Sequence, residues 1–377
     1  MVLLAICWGN CTVFFLASSA YWIQVSEAQA CSLADAFWEE FGGLEGSHDL
    51  PSANFLKTAS RLSQTGHAYL LSGHFEDYKL AADIPFNYKD VGLGQPHPVL
   101  SILDFVKTLD TNGKLDLLFM GNAPQRYEEF WGKWRARQPH HPIYRAHGDC
   151  LGHCVPVMVH ADEGTSQKKK GVMIVSVQPV LGHGTSKRKA TETVPGVNYL
   201  GKSLVTRMLY SVMLARVYSG KKMKNKPLLK LVEHLALELR SAFYEGIPVN
   251  LTTTCERVYL VPIGMKGDWA ALVKCGQLVR HHLRDVSAKK SGAGICHLCL
   301  GGQESHNWFD ISYDNMEKMR DGAPPPWSHE PAIVRHLPLG DPYKHHFFRI
   351  DVFHTLHKGV FGDIAANAID PQMYFYI

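Results

Sequence analysis

Residues 154–181 read CVPVMVHADEGTSQKKKGVMIVSVQPVL, and the fold of the chain turns on them. Two apolar runs rich in β-branched residues, 155–161 and 172–177, flank a polar connection that contains glycine. Such a pattern predicts a β-hairpin with a long loop. Asp162 stands at the end of the first predicted strand, followed by Glu163 and Gly164. An aspartate there has two uses. It can begin a turn, where Asp is common, or its carboxylate can be held rigidly at a strand tip and face a metal ion.

Downstream, residues 203–218 are apolar and β-branched at their ends, which leaves strand and helix both open. Residues 227–245 carry the clearest helical pattern. Leu228, Leu231, Leu235, Leu239 and Ala242 form one stripe, Asn225 can cap the start, Pro227 sits in the first turn and Gly246 is a natural stop. Residues 258–263 then read as a strand weakened by Pro262. The strand runs into Gly264-Met265-Lys266-Gly267-Asp268-Trp269, and a helix is predicted over 270–283. The order is strand, Asp162, strand, a third element, helix, strand, Asp268, helix. Two acids thus stand at the C-terminal ends of two strands that a mixed sheet can place side by side. Shared Mg²⁺ or Mn²⁺ between them would suit phosphoryl transfer, since hard cations on phosphate substrates take carboxylate ligands.

Upstream, residues 31–60 carry a helical pattern (Leu33, Ala36, Phe37, Phe41), and 61–97 read as a loop or small subdomain. Apolar runs at 98–109 and 114–120 surround a turn signal, Asp110-Thr111-Asn112-Gly113. Residues 127–137 mix aromatic and basic side chains, a pattern that fits either stacking on nucleic acid or an amphipathic helix. Gln138-Pro139-His140-His141-Pro142 breaks the chain, and a domain boundary is expected near residue 145. Asp149, Cys150, His153 and Cys154 follow at a spacing that matches no strong metal pattern, and they are expected to be structural.

Gly294-Ile295-Cys296-His297-Leu298-Cys299 places a CxxC on a turn. Thiolates so spaced can bind one Zn²⁺, with His306, or His354 and His357, as candidates for the missing ligands. The alternative is a pair of reduced, partly buried thiols. Asp351 and His354 are three apart and would share a helix face.

The chain has 377 residues, 46% of them hydrophobic and 20% charged, which is a globular composition with room for two or three domains. Nine cysteines is an odd number at modest density and excludes a disulfide scaffold as the organising device. Net charge is only +4, yet residues 162–290 hold 22 Lys and Arg against 9 Asp and Glu. That basic middle suits a polyanion such as DNA, or is a solvated surface. Lys168, Lys169, Lys170, Lys187, Arg188 and Lys189 are its densest clusters. Residues 1–23 are largely apolar, and Ala28-Gln29-Ala30 resembles a cleavage site, but no Lys or Arg precedes Lys57. A secretory signal or anchor is therefore the minority reading, and a membrane span is not expected.

The segments HADEG (160–164), KGDWAAL (266–272), GICHLC (294–299) and FFRIDVFHTLHKGVF (347–361) together resemble the catalytic region of DDE/D cut-and-paste transposases of the CACTA and Kyakuja–Dileera–Zisupton kind. The resemblance covers residues 145–365. In that group the core is RNase H-like, one Asp ends the first strand, and a second follows the fourth strand shortly before a CxxC. An Asp-x-x-His motif lies in a later insertion. Asp162, Asp268, Cys296 with Cys299, and Asp351 with His354 match these positions in order.

The resemblance implies an α/β protein in four parts. These are an apolar N-terminal segment (1–30), a mainly helical region (31–144), an RNase H-like mixed sheet core (145–290) and a zinc-binding-type insertion (291–377). It implies DNA strand cleavage and transfer, with Asp162 and Asp268 on Mg²⁺ and with water and then a DNA 3′-hydroxyl as nucleophile. The clustered Lys and Arg would contact phosphate, and zinc would sit on Cys296 and Cys299 with His354 or His306. Double-stranded DNA and a second copy of the chain are the implied partners, the nucleus is the implied location, and no small-molecule substrate is expected. The departure is the third acid, a Glu on a helix far beyond the Asp-x-x-His motif. Only Asp363 and Asp370 follow His354, so an incomplete core with little or no cleavage is expected. The rival expectation is a non-catalytic DNA- or partner-binding protein derived from a mobile element.

Overall fold

The computed structural model describes residues 13–16, 22–25, 31–32, 35, 51–67, 84–119, 123–165, 171–182, 196–197, 207–250, 256–281, 294–303, 306–320, 323–340 and 344–350, with single positions at 352, 356, 361 and 364. The chain forms two compact units, Met1–Ile84 with Tyr199–Thr206 and Pro85–Asn198 with Arg207–Ile377. In the first, β1 (Val13–Leu16) pairs antiparallel with β2 (Trp22–Val25). The helix α1 (Pro51–Gln64) is tied to Asp35, whose Oδ1 accepts Ser60 Oγ at 2.6 Å and Gln64 Nε2 at 2.8 Å. The remainder of the apolar stretch 1–23 lies outside the described residues.

The second unit is a mixed α/β body. A small antiparallel hairpin, β3 (Phe86–Lys89) with β4 (His97–Leu100), leads into α2 (Ile102–Thr111) and then α3 (Pro124–Arg135). The predicted turn between the apolar runs is present, with Gly113 at φ 64°. On α3 the packing alternative is the one realised. Tyr127 and Trp131 are fully buried, and Trp131 Nε1 donates to Cys154 O at 2.8 Å.

The sheet that follows contains β5 (Cys154–Thr165), β6 (Gly171–Pro179), β7 (Met208–Leu214), a two-residue β8 (Ile247–Pro248) and β9 (Arg257–Gly267). Its order is β8-β9-β5-β6-β7. The predicted hairpin is β5 and β6, antiparallel from Val157↔Pro179 to Thr165↔Gly171. Within the open third element, Met208–Leu214 form a strand, β7, antiparallel to β6, and Ala215–Tyr218 turn into a short helix. The chain then crosses over through α4 (Lys226–Tyr244) and returns as β9, parallel to β5. Alternation explains β5: Val155, Val157, Val159 and Ala161 are all fully buried on one face.

The α4 stripe of Leu228, Leu231, Leu235, Leu239 and Ala242 is buried as its spacing demands. Each such leucine contributes about 1.5–3 kcal/mol of burial. Gly246 ends this segment at φ 68°. Asn225 occupies the N-cap position of α4, but in a left-handed conformation and without a side-chain cap hydrogen bond. Pro262 stays within β9, and the ladder to β5 shifts by one residue between Pro262 and Gly264. That bulge absorbs the missing N–H.

After β9 comes α5 (Trp269–Gly276), shorter than predicted because Gln277 turns left-handed at φ 48°. Two short helices, α6 (Tyr313–Arg320) and α7 (Ala332–His336), follow. Among the described residues no helix is long and apolar enough to cross a membrane.

Candidate functional site

The two acids singled out in the sequence come together where β5 and β9 part. Lys266 pairs with His160 and Gly267 with Ala161, and the next residues are Asp268 and Asp162. The parallel ladder ends there, although β5 itself continues against β6, with Asp162 opposite Ile174. Asp162 therefore marks the end of its parallel partner rather than the end of its own strand. Gly267 makes the close approach possible, because a Cβ on it would lie 1.8 Å from Ala161 O.

Asp268 leaves the sheet as the N-cap of α5. Its Oδ1 accepts Ala271 N–H at 2.7 Å and its Oδ2 accepts Glu163 N–H at 3.3 Å. Burial raises the Asp268 carboxyl above the usual range, and the negative charges of Asp162 and Glu163 raise it further. The two N–H donors oppose them. Like charges in a partly buried site disfavour double ionisation. Among the described residues, Asp162, Glu163 and Asp268 do not converge as a three-ligand metal cluster.

The surroundings divide by strand face. On one side Glu163 Oε1 accepts Tyr218 Oη–H at 2.9 Å, and Oε2 is ion-paired with Lys274. The Lys274 ammonium also lies 5.7 Å from the Tyr218 ring centroid. Burial and the Glu163 hydrogen bond drive the Tyr218 phenol strongly upward. His160 and Asp162 lie on the opposite face of β5 from Ala161 and Glu163. There the Arg207 guanidinium sits close enough to Asp162 to be stabilised by its charge, against the effect of burial. Burial, then the Arg207 charge, brings the Lys266 ammonium down to about 8. Burial, then Arg207 and Lys266, brings the His160 imidazole down to about 3. Sequence reasoning missed the roles of Glu163, Arg207, Tyr218, Lys266 and Lys274. Glu163 and Lys266 lay inside motifs already noted, while Tyr218 and Arg207 carried no local signal.

The CxxC forms a tight turn. Leu298 N–H reaches Cys296 Sγ at 3.4 Å, and Gly301 N–H reaches Cys299 Sγ at 3.4 Å. The Cys299 thiol hydrogen bond draws the Cys296 thiol down to about 6, and Cys299 moves up in response. Arg280 Nε donates to Cys296 O at 3.2 Å and adds positive charge beside both sulfurs. His297, between the two cysteines, is buried and donates from Nε2 to Phe348 O at 2.8 Å. His306 is held through its backbone, its N–H on Gln303 O and its carbonyl on Gly302 N–H. Among the described residues no third ligand-type side chain gathers with the two sulfurs, and His354 lies outside them.

A three-residue cluster occurs elsewhere. One ligand atom each from His147, Cys150 and Cys154 lies within 4.8 Å of the others, and this group could hold a metal ion. The sequence reading left Cys150 and Cys154 structural and did not single out His147; the three meet only in the folded chain. The basic clusters Lys168, Lys169, Lys170 and Lys187, Arg188, Lys189 lie outside the described residues. Compared with protein-family models, with curated proteins and with solved structures, the chain matches none.

Proposed function

We propose that the second unit is a transposase-like phosphoryl-transfer core that binds double-stranded DNA and divalent cations at Asp162 and Asp268. The observation that carries the reading is the last parallel rung, Gly267↔Ala161, which puts the two acids next to each other where the ladder of β5 and β9 ends. An antiparallel β5-β6-β7 meander, a crossover helix and a parallel β9 beside β5 support an RNase H-like assignment. The cations Arg207 and Lys266 support a polyanionic substrate, with Arg207 as the phosphate-facing charge. Mg²⁺ or Mn²⁺, when bound, would activate the attacking oxygen and stabilise the leaving one. This chain's residues would hold the cation at Asp162 and Asp268 and orient Asp268 through Ala271 and Glu163. With a third acid unassigned, the reading expects cation and DNA binding with little or no cleavage. A nuclear location follows from a DNA substrate.

A second reading, a non-catalytic DNA- or partner-binding protein derived from a mobile element, is favoured by one observation. Both Asp268 oxygens already accept backbone N–H groups, as a purely structural cap would. Titration of the full chain with Mn²⁺, followed by electron paramagnetic resonance of the free ion, separates the two. The catalytic-core reading expects binding that Asp162→Asn and Asp268→Asn both abolish. Binding unchanged in both variants, together with salt-dependent duplex binding, would leave the second reading standing.

A further inference from the structure

We infer that His147, Cys150 and Cys154 form a zinc site that staples the connection before the sheet to β5. The inference is independent of the acidic site and of the proposed function. Three ligand atoms within 4.8 Å of one another are near enough for a small closure to bring them around one tetrahedral ion.

The backbone is wound for it. Cys150 N–H bonds His147 O at 3.0 Å, and His153 N–H bonds Cys150 O at 3.0 Å. Successive turns thus bring i, i+3 and i+7 to one point. Cys154 then enters β5, where it is fully buried, while Cys150 is partly exposed. Both are thiols rather than halves of a disulfide. Gly152 lets this turn pass against α3, since a Cβ there would meet Pro124 Cβ at 2.9 Å.

The outer contacts match what a histidine ligand needs. His147 Nε2 lies 2.6 Å from Phe243 O, and a carbonyl can only accept, so Nε2 carries the proton. The lone pair is left on Nδ1. Metal-bound histidines characteristically donate their other N–H to a carbonyl in this way, which fixes tautomer and ring orientation. The His147 ring is further held between Phe243, at 5.0 Å, and Tyr259, at 4.0 Å. His153 neighbours Cys154 in sequence, and its Nδ1 is buried without a hydrogen-bond partner. It does not join the three converging ligand atoms, so the fourth position is left to water or an added ligand. Binding releases one proton from each thiol. Two thiolates and a neutral imidazole then balance the charge of Zn²⁺ without any redox step.

The test measures metal in the purified full chain by mass spectrometry after dialysis against a weak chelator. The variants are Cys150→Ser and the double variant Cys296→Ser/Cys299→Ser. The inference expects Cys150→Ser to lose one zinc per chain relative to wild type, and the double variant to retain that zinc. Cobalt substitution should give a thiolate-to-cobalt charge-transfer band that weakens in Cys150→Ser and persists in the double variant. If Cys150→Ser fails to fold, alkylation of the wild type decides. Cys150 should be protected until a strong chelator is added. Zinc content unmoved by Cys150→Ser, alkylation of Cys150 that ignores the chelator, or a Cys150–Cys154 disulfide in the isolated protein would each overturn the site.

Discussion

The Oδ2 atom of Asp268 accepts the backbone N–H of Glu163 at 3.3 Å, one step beyond the last rung between two parallel strands. The same carboxylate caps α5 through Ala271 N–H at 2.7 Å. One side chain therefore locks the end of β9, the start of α5 and the continuation of β5 into a single geometry. The adjacent Asp162 inherits its position from that lock.

Asp268→Ala removes the cap and is expected to destabilise the fold by about 1 kcal/mol. Asp268→Asn keeps an acceptor and removes a charge. Because the folded-state carboxyl is raised, its neutral form is the one that the fold prefers. Its stabilising contribution is full below the unfolded-state value and is lost as pH rises through the folded one. Near neutral pH the Asn variant should be more stable than the Ala variant, because its amide oxygen keeps the Ala271 cap while its NH2 cannot accept from Glu163, and cation binding should be lost. Urea midpoints of the two variants check the first part, and manganese titration checks the second.

Gly267→Ala would place a methyl group 1.8 Å from Ala161 O. Neither strand can retreat without breaking the ladder beside Asp162, so a loss of about 3 kcal/mol or more is expected, at the upper end of overpacking. A change in urea midpoint under about half that size would mean that β5 and β9 are not in this register.

His160 supplies a pH test. Its imidazole is held at about 3 by burial and by the charges of Arg207 and Lys266. An unfolded histidine titrates near roughly 6.5. Between those values the unfolded chain binds the extra proton, so stability is full above about 6.5 and falls as pH drops. Stability measured at several pH values should show a shallower acid loss in His160→Gln than in the parent. Equal slopes would place His160 in solvent.

Glu238 is the buried acid of α4, yet it serves another helix. Its Oε2 accepts Ser101 Oγ–H at 3.0 Å and Ile102 N–H at 3.2 Å at the start of α2, while Lys89 lies 3.4 Å from Oε1. Glu238→Ala strands those donors and should cost about 2–3 kcal/mol, the range for hydrogen bonds to a charged group. Thermal unfolding of the variant beside Glu233→Ala, on a half-buried side chain that pairs with His336, provides the comparison.

What the sequence determined by itself was local. Apolar β-branched runs specified β5 and β6, a 3.6-residue stripe specified α4, and Gly246 specified where that helix stops. Those signals are short-range because they follow from backbone geometry and the side of an element that water avoids. Residues 203–218 were ambiguous for the same reason, since a short apolar run suits a buried strand or a buried helix, and only pairing of β7 with β6 chose the strand. Tertiary structure alone decided which acids meet. Asp162 and Asp268 are 106 residues apart in the chain and adjacent in the ladder, and no local pattern encodes that parallel register. The same holds for Arg207 beside Asp162 and for Glu163 between Tyr218 and Lys274. At His147, Cys150 and Cys154 the spacing was in plain view, but a three-residue span says nothing about side-chain direction. The turns of the backbone and the Phe243 carbonyl supplied it.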